Sequence, residues 1–190
     1  IVIIINTCGF INQAKSESYA AIETAMENEQ QVVVTGCLGV EREELLRRYP
    51  NLKFDFHAHN DYDLSVANVL EAVKAGASCI HVTVNGLGER AGNAILSSSI
   101  AALRDHLGIE TNVVETYIYR ISKLVETFSG LRIPANKPLI GDNVFTQTCG
   151  VHADGDSKDN LYYNILMPER FGRSRSYAPV SYTHLTLPTI

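Results

Sequence analysis

Two short segments carry the residues best suited to metal chemistry. Residues 56–61 read FHAHND, and residues 84–93 read VNGLGERAGN. Side chains alternate along an extended strand, so His57 and His59 point to the same face and can bind one metal ion. The second segment adds a carboxylate, an arginine and the amide of Asn93 in a glycine-rich turn. Imidazole nitrogens combined with oxygen donors suit Mg²⁺, Mn²⁺ or Zn²⁺ better than a soft metal.

The elements around these segments alternate between predicted strands and predicted helices. Apolar runs predict strands at 1–6, 31–35, 53–58 and 78–84, and helical spacing predicts helices at 14–28, 41–49, 64–75, 94–106 and 115–128. An irregular stretch follows Gly130, and a final element is predicted at 158–166. Regular alternation of strands and helices indicates an α/β fold with parallel strands.

Composition narrows the class of protein. The 190 residues are 45% hydrophobic and 19% charged, and the formal net charge is −5. This balance predicts a globular protein without the basic surface that nucleic acid requires. No apolar run reaches the length of a membrane span, and the four cysteines form no closely spaced pair, so we expect a cytoplasmic protein. The sequence begins at Ile1 rather than methionine, from which we expect its natural N-terminus to be missing.

Residues 52–177, with both motifs, resemble the 2-isopropylmalate synthase and homocitrate synthase family. The match is dense over 56–67 and over the glycine-rich turn. The resemblance implies part of a TIM (β/α)₈ barrel, in which 52–130 supply the C-terminal strands and 131–177 a hinge or linker subdomain. A small α/β piece with parallel strands, residues 1–50, precedes it.

The family resemblance also implies the metal ligands. His57 and His59 correspond to two histidine ligands, and Asn93 corresponds to a ligand that binds through its amide oxygen. Asn60 and Asp61 could orient the two histidines without binding the metal themselves.

Three further residues correspond to catalytic positions of the family. His152, in FTQTCGVHADG at 145–155, corresponds to an acid–base histidine that often serves the partner subunit's active site. Tyr163, in YNILMP, corresponds to a tyrosine of similar role, although a packing role on a helix remains the alternative. Glu89 is the third candidate, and an ion pair with Arg90 that shapes the turn is its alternative.

The activity implied is a Claisen condensation of acetyl-CoA with a 2-keto acid, by an acyltransferase of the 2-isopropylmalate synthase type. The histidine and glycine-turn motifs are shared by isopropylmalate, homocitrate and related synthases, so the 2-keto acid stays open. We expect 2-oxoisovalerate first, with a role in leucine biosynthesis and a homodimeric parent. The family's Arg-Asp-Gly-x-Gln motif, whose aspartate completes the metal site, does not occur in these 190 residues. We therefore expect weaker metal binding than in the parent family and no turnover.

The first 50 residues resemble a different family, the radical-SAM methylthiotransferases that modify ribosomal protein S12. The segments INTCGFI and VTGCL place Cys8 and Cys37 where that family binds a [4Fe-4S] cluster. Its third cysteine and its Cys-x-x-x-Cys-x-x-Cys signature are absent, so we expect no stable cluster here. The alternative is that both cysteines are small buried residues at strand ends.

The two resemblances meet near residues 47–52, which predicts a chimeric sequence. The last residues, 178–190, match neither family and resemble translated adapter sequence. An iron–sulfur methylthiotransferase is the alternative function, and a genuine fusion that acts as a non-catalytic metal-binding or assembly module is a third hypothesis.

Overall fold

The structure, a computed structural model, describes residues 2–7, 11–28, 31–159 and 166–178. Within these ranges the side chains at 37, 40, 42, 151, 157 and 159 are not described. The chain divides into two compact units, Ile1–Lys53 and Phe54–Ile190.

The first unit is a parallel strand pair with two helices. Its elements are β1 (Val2–Thr7), α1 (Asn12–Glu27), β2 (Gln31–Gly36) and α2 (Arg42–Arg48). Strands β1 and β2 pair in parallel from Val2 opposite Gln31 to Thr7 opposite Gly36. Ile22, Leu38 and Leu45 are buried. Val2, Ile4 and Val33 are exposed, so alternate residues of the two strands lie on an uncovered face.

The second unit contains the motifs singled out above. Its elements are β3 (Asp55–His57), α3 (Ser65–Lys74), β4 (Cys79–His81), α4 (Leu96–Leu107), α5 (Ile118–Ser129), β5 (Thr146–Gln147), α6 (Gly150–Asp159) and β6 (Ser176–Tyr177). Strands β3 and β4 pair in parallel, and β5 pairs in parallel with β6.

Alternation along β3 and β4 separates an apolar face from a polar one. Phe56 and Ile80 are partly buried and pack against the cluster of Ala58, Val69 and Ala94. The residues on either side of them are exposed in both strands. Because successive side chains point to opposite faces, the polar residues of both strands share the uncovered face.

A second core holds α4 and α5 to the segments that follow them. Its buried residues are Ile95, Ala101, Ile118, Leu139, Ile140, Phe145 and Phe171. The rings of Phe145 and Phe171 stack with centroids 6.3 Å apart. Beside this core Arg170 forms ion pairs of 2.6 Å with Asp105 and with Glu115. The C-terminal described segment is therefore fixed to this unit by apolar packing and by ion pairs.

The α/β class with parallel strands, predicted from alternation, is confirmed by the mixed elements and small parallel sheets. Strands β3 and β4 are shorter than the predicted 53–58 and 78–84, because each pairs with the other over three residues only. The sequence pattern missed α6, whose glycines at 150 and 155 weaken the helical signal. Most of the predicted element at 158–166 lies outside the described residues.

Candidate metal centre

The two histidines of the FHAHND segment lie side by side on the uncovered face. His57 ends β3, and His59 follows it in extended backbone. Their ring centroids are 5.2 Å apart, and both residues are exposed. The predicted arrangement of two imidazoles on one face is therefore present in the structure.

The glycine-rich segment returns the backbone to this pair. Thr83 forms a parallel bridge with Ile95, and His59 forms an antiparallel bridge with Asn93. In the second bridge Asn60 N–H donates to Gly92 O, and Ala94 N–H donates to Ala58 O, both at 2.9 Å. His59 and Asn93 are thus a non-hydrogen-bonded pair, in which the Cα atoms lie about 4.5 Å apart and the side chains share one side.

The amide oxygen of Asn93 has an unsatisfied hydrogen-bonding capacity. Its Oδ1 is buried and has no hydrogen-bond partner among the described residues. Gly88 lies against the same side chain, since a Cβ at position 88 would approach the Asn93 amide carbon to 2.6 Å. Buried polar atoms are rarely left unpaired, because the loss of hydration costs about 1–3 kcal/mol. An unpaired oxygen on the residue that bridges to His59 fits a cation ligand.

Local geometry explains why glycine and asparagine occupy this segment. Gly92 has φ of +88°, and a Cβ there would lie 2.0 Å from Gly86 O. Gly86 O in turn accepts a hydrogen bond of 3.1 Å from Asn93 N–H. Asn85, at φ of 60°, anchors the segment to α5 by donating from Nδ2 to Ser122 O at 2.9 Å. The backbone that presents Asn93 is therefore held from several directions.

Asp61 and Arg90 connect the two motifs. Arg90 donates from Nε and Nη2 to the two carboxylate oxygens of Asp61, at 2.7 and 2.9 Å. The hydrogen bonds from Arg90 hold the pKa of Asp61 below its usual range. Arg90 therefore pairs with Asp61 across the two segments, and not with its neighbour Glu89 as one interpretation of the sequence suggested. Glu89 itself is exposed.

Asn60 supports the start of α3. Its Oδ1 accepts from Ser65 Oγ at 2.6 Å and from Ser65 N–H at 3.2 Å, and its Nδ2 donates to Asp63. The structure thus gives Asn60 a local role at a helix start, where a contact with the histidines was predicted.

Of the predicted site residues that remain, only His152 has a described side chain. His152 lies on α6 and is exposed. Tyr163 and Cys8 lie outside the described residues, and the same holds for the Cys37 side chain.

Sequence reasoning missed a second group on the same face. Asp55, Cys79 and His81 offer one ligand atom each, and these three atoms lie within 4.8 Å of one another. Asp55 lies two residues before His57 on β3. On β4, Cys79 lies opposite Asp55 and His81 lies opposite His57. Alternation along each predicted strand indicates which of these side chains share a face within that strand. Only the pairing register between β3 and β4 shows that the three side chains lie close together.

Paired imidazoles and an amide oxygen on a glycine-rich segment of an α/β unit define a candidate divalent-metal centre. Residues 39–125 match the HMGL-like family model. Together with the relatives described next, this match makes this part of the chain similar to the 2-isopropylmalate synthase and homocitrate synthase family. Residues 1–56 match the uncharacterized protein family UPF0004.

Curated proteins that are similar to this chain are named homocitrate synthase. The chain is 46% identical over 139 residues to a homocitrate synthase of Saccharolobus solfataricus and 48% identical over 139 residues to one of Saccharolobus islandicus. It is 46% identical over 140 residues to a homocitrate synthase of Sulfolobus acidocaldarius. The alignments cover 73–74% of this chain and 30% of each relative, so the chain spans about a third of the length of the relatives it matches.

Predictions on the alternative function, on the pathway and on membrane spans can also be checked. The comparisons give no support to the iron–sulfur methylthiotransferase alternative or to a role specific to leucine biosynthesis. None of the helices in the described ranges is long and apolar enough to cross a membrane.

Proposed function

We propose that residues 52–177 form part of an acyltransferase of the 2-isopropylmalate and homocitrate synthase type, with a divalent-metal site at His57, His59 and Asn93. The observation that carries this proposal is the buried, unpartnered Oδ1 of Asn93 in the bridge to His59. The mixed nitrogen and oxygen donors fit Mg²⁺, Mn²⁺ or Zn²⁺. By family resemblance these residues belong to the C-terminal strands of a TIM barrel.

A divalent metal at this site would polarise the carbonyl of a bound 2-oxo acid as a Lewis acid. The chain's own residues position that site. The Asp61–Arg90 ion pair joins the two motifs, and the Gly86–Asn93 hydrogen bond holds the backbone that carries the amide ligand. The uncovered face of β3 and β4 leaves the histidines open to a substrate.

Proton transfer is proposed for residues outside this pair. An imidazole exchanges protons efficiently near neutral pH, which suits His152 as a general acid–base residue. By family resemblance, we propose that it serves a site on a partner subunit. Tyr163 is proposed to assist, and Glu89, exposed in the glycine-rich segment, is available to a substrate.

The proposed substrates are acetyl-CoA and a 2-oxo acid. 2-Oxoisovalerate remains the first one to test, although the curated relatives carry the name homocitrate synthase. We propose a cytoplasmic, homodimeric parent protein. The 190 residues contain no Arg-Asp-Gly-x-Gln motif, so the aspartate that would complete the site is lacking and no turnover is expected from this chain.

Binding of Mn²⁺, followed by the electron paramagnetic resonance signal of the free ion, tests the site. His59→Ala and Asn93→Ala should each weaken binding at least about tenfold, since even the loss of groups that only orient ligands costs that much. His106→Ala removes an exposed imidazole on α4 and should leave affinity unchanged. Equal affinity in all variants would refute the metal site, and release of CoA from acetyl-CoA with 2-oxoisovalerate would refute the expected lack of turnover.

A further inference from the structure

The uncovered face of β3 and β4 carries a second set of metal-binding atoms. Asp55 and Cys79 lie directly opposite each other in the parallel register, and His81 lies two residues after Cys79 on the same face. A carboxylate oxygen, a thiol sulfur and an imidazole nitrogen therefore converge from two adjacent strands. None of the three residues belongs to the site proposed above.

The spacing of these atoms is close to that of a metal site. The three ligand atoms lie within 4.8 Å of one another, and His81 Nε2 is 3.6 Å from Asp55 Oδ2. Zinc bonds of about 2.0–2.3 Å in tetrahedral geometry separate neighbouring ligand atoms by about 3.3–3.8 Å. The His81–Asp55 distance already falls in this range, and a side-chain rotation of Cys79 on an open surface can supply the rest.

The side chains are accessible. Asp55 and His81 are each 53% exposed, and Cys79 is exposed. The neighbouring Phe56 and Ile80 are fixed in the apolar cluster on the other face, so the two strands hold the three donors in a defined register. A metal ion can therefore reach the donors from solvent without any change in the packed core.

We propose that Asp55, Cys79 and His81 bind a borderline metal ion of the Zn²⁺ class at a site distinct from the His57, His59 and Asn93 centre. The thiolate gives selectivity, because Zn²⁺ accepts sulfur, nitrogen and oxygen ligands together, whereas Mg²⁺ and Mn²⁺ favour oxygen. Binding displaces the thiol proton of Cys79 to solvent.

His57 lies beside this site. Its ring centroid is 5.7 Å from that of His81, and the two residues are opposite each other in the register. Water can take the fourth position of a tetrahedral ion, so the site needs no ligand from the His57, His59 and Asn93 centre. The inference does not depend on the proposed enzymatic function, because Asn93 and His59 supply none of the ligands.

Titration of the full chain with Co²⁺ tests the site, because thiolate coordination gives a sulfur-to-cobalt charge-transfer band in the near ultraviolet. The native chain should develop this band, and excess Zn²⁺, enough to fill both proposed sites, should abolish it. Cys79→Ser should remove the band, and Asp55→Asn should weaken Co²⁺ binding at least about tenfold, the lower limit expected from the loss of a group that only orients a ligand.

Matched variants separate this site from the other one. Cys149→Ser removes a different thiol and should keep the band, as should His59→Ala, which changes only the first site. A band that survives in Cys79→Ser, or no band in the native chain, would overturn the proposal. Circular dichroism of each variant checks that the fold is retained. If Cys79→Ser loses its native spectrum, Co²⁺ binding by Asp55→Asn decides whether the site exists.

Discussion

Replacement of Gly92 by alanine should damage the metal centre through the backbone alone. Gly92 has φ of +88°, and a Cβ at this position would lie 2.0 Å from Gly86 O. Contacts between a Cβ and another heavy atom below 3.0 Å essentially do not occur, so the carbonyl must retreat by about 1 Å. The same carbonyl accepts the Asn93 N–H at 3.1 Å, and the displacement would break this hydrogen bond.

The magnitude follows from three contributions. The left-handed conformation costs a non-glycine residue about 1–2 kcal/mol. The lost hydrogen bond adds about 1 kcal/mol, and displacement of packed neighbours adds about 1 kcal/mol or more. Gly92→Ala should therefore lower the free energy of unfolding by about 3–4 kcal/mol. It should also weaken Mn²⁺ binding at least about tenfold, because Asn93 loses its position beside His59.

Gly108 provides the matched control. It ends α4 at φ of +66°, and a Cβ there meets nothing within 4 Å. Gly108→Ala should cost only the conformational contribution of about 1–2 kcal/mol and leave Mn²⁺ affinity unchanged. Urea denaturation followed by circular dichroism measures the first quantity, and Mn²⁺ titration measures the second. Equal stability loss in the two variants, or unchanged Mn²⁺ affinity in Gly92→Ala, would refute the reasoning.

Two further predictions concern the ion pairs beside the second core. Arg170→Met leaves the carboxylates of Asp105 and Glu115 without their buried partner and should lower the free energy of unfolding by about 3 kcal/mol, whereas Arg104→Met, at a half-exposed side chain, should cost less than about 1 kcal/mol in the same urea titration. A similar cost for both would contradict this assignment. Hydrogen bonds from Arg170 hold the pKa of Glu115 below its ordinary value of 4.5, so this stabilisation is complete above that pH and is lost as the pH falls through the folded-state pKa. The stability gap between native chain and Arg170→Met should therefore narrow in acid, and a gap that widens would show that Glu115 is not the group responsible.

Local sequence was sufficient for the histidine pair and for most elements. Alternation in FHAHND predicted that His57 and His59 share a face, and the rings do lie 5.2 Å apart. The helices α3, α4 and α5 were predicted to within about three residues at each end. These features depend on neighbours within a few positions, which is the range over which periodicity and backbone preference act.

Partners distant in sequence could not be assigned from the sequence. Arg90 was expected to pair with Glu89 or to act in chemistry, but it binds Asp61, 29 positions away. Arg170 pairs with Glu115 across 55 positions. The sequence offers each charged side chain many oppositely charged residues. Only the folded backbone brings one of them within hydrogen-bond range.

The sequence by itself determined the α/β class, the shared face of the two histidines and the glycine-rich segment that carries Asn93. The tertiary structure decided that Asn93 lies opposite His59, and that Asp55, Cys79 and His81 converge on the neighbouring stretch of the same face. The physical reason is that alternation fixes the direction of each side chain along its own strand. The register between strands, set by long-range packing and backbone hydrogen bonds, decides which of those side chains meet.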